Sequence, residues 1–307
     1  MRRELDELWL GAARELGLTV RRGGDAYVHY DGQVLYLAED ELLDDDDTLA
    51  QLILHELCHA LVQGEANLGR PDWGLDNTSD RDAVNEAAAV RLQAHWAGQH
   101  GLRDRLFPTT VVRDFFVALP DDALLPPDDD SVRLAKQGAT LGARSGFARV
   151  IHRTLDATAT LLGAARHRKS GWPRRDDRRC GDCVWRSDGG FCRQAMGRAR
   201  VSADEPGCSR GEATLDCHAC GACCRSAYDA VLVGPREAVV RRHPELIVVD
   251  GEVRLLARRG DHCAALAGAA GGPYRCAIYD DRPRPCRDLA LAGAHCLTAR
   301  RRVGLSA

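Results

Sequence analysis

The chain has 307 residues, of which 45% are hydrophobic and 28% charged, and its formal net charge is −3 at pH 7. This length is sufficient for two domains, since single cores usually stop growing near about 250 residues. The small negative charge excludes an overall basic field that would attract nucleic acid, so no nucleic-acid partner is expected.

The sequence contains no stretch of about 18 apolar residues, and the acidic Glu4, Asp6 and Glu7 follow the first residues without an apolar export segment. We therefore expect no membrane partner and a cytoplasmic location. Thiols stay reduced in that compartment, so the thirteen cysteines are expected to bind metal or to do redox chemistry. Twelve of them lie between Cys180 and Cys296.

Helical spacing of apolar residues predicts a first helix over residues 3–16 that ends at Gly17. A small meander of three strands is predicted next, at residues 18–21, 26–30 and 33–38. Thr48 is the predicted cap of a helix with an apolar stripe that reaches Gln63, and Ser79 is the predicted cap of a helix over residues 80–99.

A helical stretch over residues 132–166 is assigned to the scaffold, and the polar segment 169–179 coincides with the rise in cysteine content. We predict two domains, residues 1–170 and 171–307. The predicted fold class is α+β, with a small antiparallel sheet packed on helices and an irregular cysteine-rich metal-binding domain after it.

The segment His55-Glu56-Leu57-Cys58-His59 lies on the second predicted helix. Two histidines four residues apart project from one face of a helix and can bind one ion, which predicts a Zn²⁺ site. Glu56 lies close enough to take a proton from water at the ion, which is the position of the general base in zinc hydrolases. The alternative is that both histidines are ordinary residues beside a core stripe, and Cys58 is predicted to be a small buried residue.

A third ligand is required, and Glu86 on the next helix is the predicted one, with Asp82 and His95 as alternatives. The two segments, His55 to His59 and Asn85-Glu86-Ala87-Ala88-Ala89, resemble those of the gluzincin metallopeptidases over residues 18–100. The resemblance implies zincin-type helices, a catalytic Glu56 and a peptide or protein substrate. We expect such a substrate to pair with a sheet edge at residues 34–38. The sequence has no downstream histidine or tyrosine matched to the oxyanion.

The first cysteine group supplies four thiolates in a short segment, residues 180–208. Cys-x-x-Cys spacing lets two sulfurs reach one metal, so the group predicts a tetrahedral Zn²⁺ site or an iron–sulfur cluster, with scattered free thiols as the alternative. The predicted ligands are Cys180, Cys183, Cys192 and Cys208.

The second group begins with a Cys-x-x-Cys-x-x-Cys-Cys run and comprises Cys217, Cys220, Cys223, Cys224, Cys263, Cys276, Cys286 and Cys296. With the segment from Cys276 to Arg287, this run resembles a cysteine-cluster family described as zinc- or iron-chelating. The resemblance covers about residues 215–305 and implies a metal-bound domain, with Zn²⁺ and iron–sulfur both open. Arginines beside the ligands, Arg282, Arg284 and Arg287, are expected to stabilise the thiolates. Three nearby histidines are not expected to be ligands, namely His218, His262 and His295.

The leading functional hypothesis is a zinc-dependent hydrolase, peptidase-like, with an accessory cysteine-rich metal domain. One alternative is an iron–sulfur redox or peptide-modifying protein. Another is a metal-binding adaptor without turnover.

Overall fold

The computed structural model describes residues 2–23, 27–44, 47–76, 80–108, 112–195 and 199–306. Its first six helices, α1 to α6, are Arg2–Glu15, Leu49–Gln63, Ala83–Gln99, Arg113–Ala118, Asp130–Ser145 and Phe147–Leu161. The later helices, α7 to α11, are Cys217–Cys220, Ala222–Ser226, Ala238–Arg242, Arg284–Arg287 and Ala294–Arg302. Among the described helices, none combines the length and the apolar character needed to cross a membrane.

The strands are short and form small separate sheets. In the first 170 residues they are β1 Thr19–Arg22, β2 Val28–Tyr30 and β3 Val34–Leu37. Later in the chain they are β4 Arg174–Arg179, β5 Pro206–Cys208, β6 Ile247–Asp250, β7 Val253–Leu256, β8 Arg258–Arg259, β9 His262–Cys263, β10 Leu266–Ala267 and β11 Arg275–Cys276. All the two-stranded sheets are antiparallel. Helices combined with small sheets confirm the predicted α+β class.

The first sheet has the strand order β1-β3-β2. Strand β3 is parallel to β1, with Val34 opposite Thr19, and antiparallel to β2, with Leu35 opposite Tyr30. The predictions of a meander and of an open edge at residues 34–38 are therefore wrong, because β3 is paired on both sides. Leu35 and Leu37 are fully buried, which explains why this strand takes the central place.

Local signals account for most helix ends. The Thr48 side chain accepts a hydrogen bond from the backbone N–H of Gln51 and caps α2, as predicted. Gly146 adopts a left-handed φ of 87° and divides the predicted 132–166 helix into α5 and α6. The predicted cap Ser79 lies outside the described residues, and α3 begins at Ala83.

One large hydrophobic core joins the sheet to the helices. It includes Leu35 of β3, Leu57 of α2, Leu92 of α3 and Ile151 of α6. Residues from the end of the chain belong to the same core, namely Ala222, Ala299, Val303 and Leu305. The division at residue 170 stays a prediction, and the two predicted parts share buried surface.

Helix α5 lies close to the helix that carries the two histidines. A Cβ atom added at Gly138 would lie 3.2 Å from Val62 Cγ2 and 3.1 Å from Leu92 Cδ2. We expect Gly138→Val to lower the free energy of unfolding by about 1–3 kcal/mol, because an overpacked core must shift to accept the side chain. Gly98→Val is the matched control, since nothing lies within 4 Å of its added Cβ. Equal urea midpoints for the two variants would contradict this packing.

Candidate metal centres

Helices α2 and α3 bring three metal-binding side chains together. His55 and His59 lie one turn apart on α2, and their Nε2 atoms are 3.0 Å apart. Glu86, in the first turn of α3, has Oε1 3.2 Å from His55 Nε2 and Oε2 3.1 Å from His59 Nε2. In the described part of the chain, this is the one group of three such residues whose ligand atoms all lie within 4.8 Å of one another. Two imidazoles and a carboxylate are a donor set of catalytic zinc sites.

The two alternative ligands are engaged elsewhere. Asp82 Oδ2 accepts hydrogen bonds from the backbone N–H of Asp76, at 2.8 Å, and from Arg81 Nη2, at 2.7 Å. His95 lies with its Nε2 3.0 Å from Gln99 Nε2, and burial lowers its pKa to about 4. The structure thus brings Glu86 to the histidine pair, and neither alternative.

The charges at this site favour a bound cation. Burial acts to raise the pKa of the Glu86 carboxyl group. Hydrogen bonds from His55 and His59 outweigh this effect, so the pKa of Glu86 is lowered overall. Burial acts to lower the pKa of His55, but the hydrogen bond and negative charge of Glu86 outweigh it, so this pKa is raised. Glu86 therefore stays ionised, and the site attracts positive charge at the histidine nitrogens.

A glutamine on α3 fixes the tautomer of His55. Gln93 is fully buried, and its Nε2 donates to the carbonyl oxygen of Leu106 at 3.1 Å. Its Oε1 therefore faces His55 Nδ1, at 2.9 Å, and can only accept. When the His55 ring is neutral, its proton therefore lies on Nδ1, and the Nε2 lone pair points toward His59 and Glu86. A hydrogen-bonded far nitrogen is the usual arrangement around a metal-binding histidine.

Glu56 is held by an unusual turn. Trp73 Nε1 donates to Glu56 Oε2 at 2.8 Å. Trp73 and Asp72 have left-handed φ values of 55° and 45°, which residues with side chains rarely adopt. The turn is fixed because Asp72 Oδ1 accepts from the Tyr30 backbone N–H at 3.0 Å, and the Tyr30 ring stacks on Trp73 at 3.8 Å. One carboxylate oxygen of Glu56, the residue after His55, is thus anchored by Trp73.

The first cysteine group lines one cavity of about 540 Å³ between β4, β5 and the helices. Burial raises the pKa of Cys180 to about 12 and that of Cys208 to about 11, and the neighbouring thiols add to both shifts. In the residues that the structure describes, no three cysteine sulfurs lie within 4.8 Å of one another. The cavity lining includes all four predicted ligands, namely Cys180, Cys183, Cys192 and Cys208.

The second cysteine group begins on two short helices. Gly221 separates α7 from α8 with a left-handed φ of 62°, and an added Cβ would lie 2.4 Å from the Tyr274 ring, so only glycine fits there. Beyond this turn, Cys223 Sγ lies 4.0 Å from Cys224 Sγ, and their hydrogen bond lowers the pKa of Cys223. The pKa of Cys217 is raised by burial and then by nearby thiols, those of Cys220, Cys223 and Cys296.

The remaining cysteines of this group come from later segments. Burial raises the pKa of Cys286 to about 12, and the nearby thiols of Cys263 and Cys276 add to it. Burial raises the pKa of Cys263 and of Cys276, and the backbone N–H groups of Ala265 and Ile278 oppose this rise.

The charged and aromatic neighbours of this group have their own contacts. The positive charge of Arg282 contributes to lowering the pKa of Cys223, after the Cys224 hydrogen bond. Arg284 pairs with Asp288, and Arg287 with Glu237. The three histidines lie at hydrogen-bonding or stacking positions: His218 Nδ1 is 2.8 Å from Tyr274 O, His262 Nδ1 is 3.0 Å from Asp261, and His295 is 6.5 Å from the Tyr228 ring.

The fold and these sites define an α+β metal-binding protein. Residues 216–300 match the family model CxxCxxCC, described as "Putative zinc- or iron-chelating domain". The predicted cysteine-cluster domain is therefore confirmed for this segment. The match does not extend to the four-cysteine segment or to α2, and no curated protein and no solved structure matches the chain.

Two contacts at the histidine site were not predicted from the sequence. Gln93 lies seven residues after Glu86, so both face α2 from the same side of α3, and this spacing is a usable signal. Trp73 gives no comparable signal, because its position depends on two left-handed residues that no local pattern indicates.

Proposed function

We propose that the His55 site is that of a zinc-dependent hydrolase acting on peptide bonds. The observation that carries the proposal is the convergence of His55, His59 and Glu86 on one point, with the carboxylate of Glu56, the residue after His55, held by Trp73. A metallopeptidase needs this combination, which consists of three protein ligands and one acid that does not ligate.

The residues present fit a zinc ion. Gln93 orients the His55 ring through its Nδ1, whereas His59 is 5% exposed and is held by packing, its Nδ1 having no hydrogen-bond partner among the described residues. The Glu86 carboxylate supplies a negative charge to the pair. A bound zinc ion would lower the pKa of a water molecule and polarise the substrate carbonyl.

Glu56 has the catalytic role in this proposal. Its Oε2 is occupied by the Trp73 indole, which orients the carboxylate and leaves Oε1 to accept a proton from water. The same oxygen then delivers that proton to the amine that leaves. Trp73 acts through Glu56 and is a positioning residue.

A second candidate function is favoured by the family match. Residues 216–300 would then be the active part, as an iron–sulfur redox or peptide-modifying centre, or as an adaptor that only chelates metal. In the leading proposal the same segment is an accessory metal domain. The predicted division at residue 170 is retained as part of this proposal.

Metal exchange tests the proposed function. The purified full chain is expected to cleave fluorescently labelled casein, to lose this activity in 1,10-phenanthroline, and to regain it when Zn²⁺ is added back, because the site cannot act without its ion. The measurement is the rate of fluorescence release, with the non-chelating isomer 1,7-phenanthroline as control. Zinc-loaded protein that cleaves neither casein nor a broad peptide library would overturn the hydrolase and leave the second candidate.

A further inference from the structure

Four cysteines lie outside the segment that the family model matches and share one cavity. We propose that Cys180, Cys183, Cys192 and Cys208 form a separate metal centre of thiolate ligands, in which His167 is a hydrogen-bond donor and not a ligand. This centre is independent of the proposed hydrolase, since it shares no residue with the His55 site.

The local backbone is arranged to hold thiolates. Cys183 accepts hydrogen bonds from the backbone N–H groups of Trp185 and Glu212. Cys208 accepts from the backbone N–H of Arg210 and from the Ser170 hydroxyl. Cys183 and Cys208 are thus each approached by the backbone N–H two residues further on, so these two sulfurs face donors within the cavity.

The strand pairing places the cysteines around the cavity. Cys208 lies in β5 opposite Arg174 of β4, and Cys180 follows β4 with its N–H bonded to Glu205 O at 2.9 Å. Cys192 is fixed by its N–H to Ala199 O, also at 2.9 Å. Segments that are 34, 25 and 7 residues apart along the chain are therefore held by backbone pairing that does not depend on the sulfurs.

The hydrogen bonds of His167 define its role. Its Nδ1 accepts from the backbone N–H groups of Lys169, at 3.3 Å, and Ser170, at 3.1 Å. Only an unprotonated ring nitrogen can accept, so the proton lies on Nε2. That nitrogen is 3.6 Å from Cys180 Sγ and 3.7 Å from Glu205 Oε2, so its N–H can be donated to the sulfur or to the carboxylate. A protonated nitrogen cannot bind metal, but it stabilises a neighbouring thiolate.

A buried cation beside the four cysteines independently indicates that this cavity holds negative charge. Arg210 is 5% exposed, stacks on Trp172 at 3.9 Å and has its Nη2 3.2 Å from His100 Nε2. Its Nε and Nη1 have no hydrogen-bond partner among the described residues, and the one carboxylate that acts on its charge, Asp156, makes no ion pair with it. A buried guanidinium that lacks a paired counter-charge is costly. Four thiolates around a divalent ion carry a net charge of −2, which would balance Arg210 beside Cys208.

The same thiolate chemistry suits a zinc ion and an iron–sulfur cluster. Four sulfurs around one zinc ion at about 2.3 Å lie roughly 3.8 Å apart, whereas the four cysteines of an iron–sulfur cluster are shared among two or four irons. The described sulfurs are spaced more widely than a single ion requires. Binding of zinc would draw the four sulfurs together around one ion, whereas binding of a cluster would leave them spread over several irons. Metal and sulfide analysis distinguishes these two outcomes.

Alkylation of the native full chain, purified anaerobically, tests the centre without any substitution. Cys183 is the reporter, because it is only partly buried and would react with iodoacetamide if no metal held it. We expect peptide mapping to show it protected before metal removal and alkylated afterwards. Cys58 is fully buried and is the control that stays protected in both states. Equal rates of Cys183 alkylation in the two states would overturn the proposal.

Substitutions then identify the metal and the role of His167. The double variant Cys183→Ser with Cys208→Ser is expected to lose one zinc per chain, or iron together with an equal amount of sulfide and its visible absorption, while other metals stay. His167→Gln keeps an N–H donor and is expected to match the wild type, whereas His167→Phe should release metal about 10–100-fold faster. Full metal content in the double variant, or loss of the metal in His167→Gln, would overturn the respective assignment.

Discussion

Glu56→Gln is expected to lower kcat/KM for labelled casein by about 10²–10⁴-fold while the zinc content stays at the wild-type value. Glutamine cannot accept a proton, so general-base catalysis is lost. It keeps the shape of the side chain and an oxygen that can still accept from Trp73 Nε1. Glu56 is not among the three converging ligand residues, so zinc is expected to remain bound. Cleavage rate and zinc per chain are measured on the same preparation.

Glu65→Gln is the matched control for this substitution. Glu65 is exposed in the turn that follows α2, so the same chemical change occurs outside the His55 site. We expect its activity and zinc content to equal those of the wild type. Wild-type turnover by Glu56→Gln would remove Glu56 from the mechanism, and loss of zinc would make it a ligand.

Glu86→Gln is expected to weaken zinc binding by more than about 100-fold. Losses of 10–100-fold are typical when a partner outside the ligand set is removed, and a ligand contributes more. The substitution also removes the negative charge 3.2 Å from His55 Nε2 and 3.1 Å from His59 Nε2. Competition with a chromophoric zinc chelator measures the affinity.

His95→Gln serves as the comparison, because His95 was an alternative ligand on the same helix. His95 contacts Gln99 and Asp122. The zinc affinity of the His55 site should therefore stay within about threefold of the wild type. The reverse pattern, with zinc lost from His95→Gln and kept by Glu86→Gln, would exclude Glu86 as the third ligand.

Much of the helical scaffold could be predicted because its signals are local. Thr48 caps α2 through a hydrogen bond three residues along the chain, and Gly17 follows α1 with a left-handed φ of 85°. The spacing of His55 and His59 fixes their shared face on any helix. The prediction that Glu86 is the third ligand depended on a resemblance to a known family, because hydrophobic periodicity does not determine how two helices pack.

The parts that could not be predicted depend on contacts distant in sequence. Strand β3 lies between β1 and β2 because Leu35 and Leu37 enter the common core, and three short strands do not reveal their order. Trp73 reaches Glu56 only because the turn before it is held by Tyr30. His167 was overlooked because it precedes the predicted boundary and lies thirteen residues before the cysteine that it contacts.

The shared core links the two halves of the chain energetically. Lys136 Nζ of α5 donates to Ala219 O at 2.8 Å, and Ala299 and Val303 lie in the core that contains α2. A ligand that binds only the folded state stabilises everything that unfolds with it. Metal bound by the family-matched segment would therefore stabilise the core that also contains α2, and by reciprocity an ion bound at the proposed histidine site would improve metal retention at the cysteines.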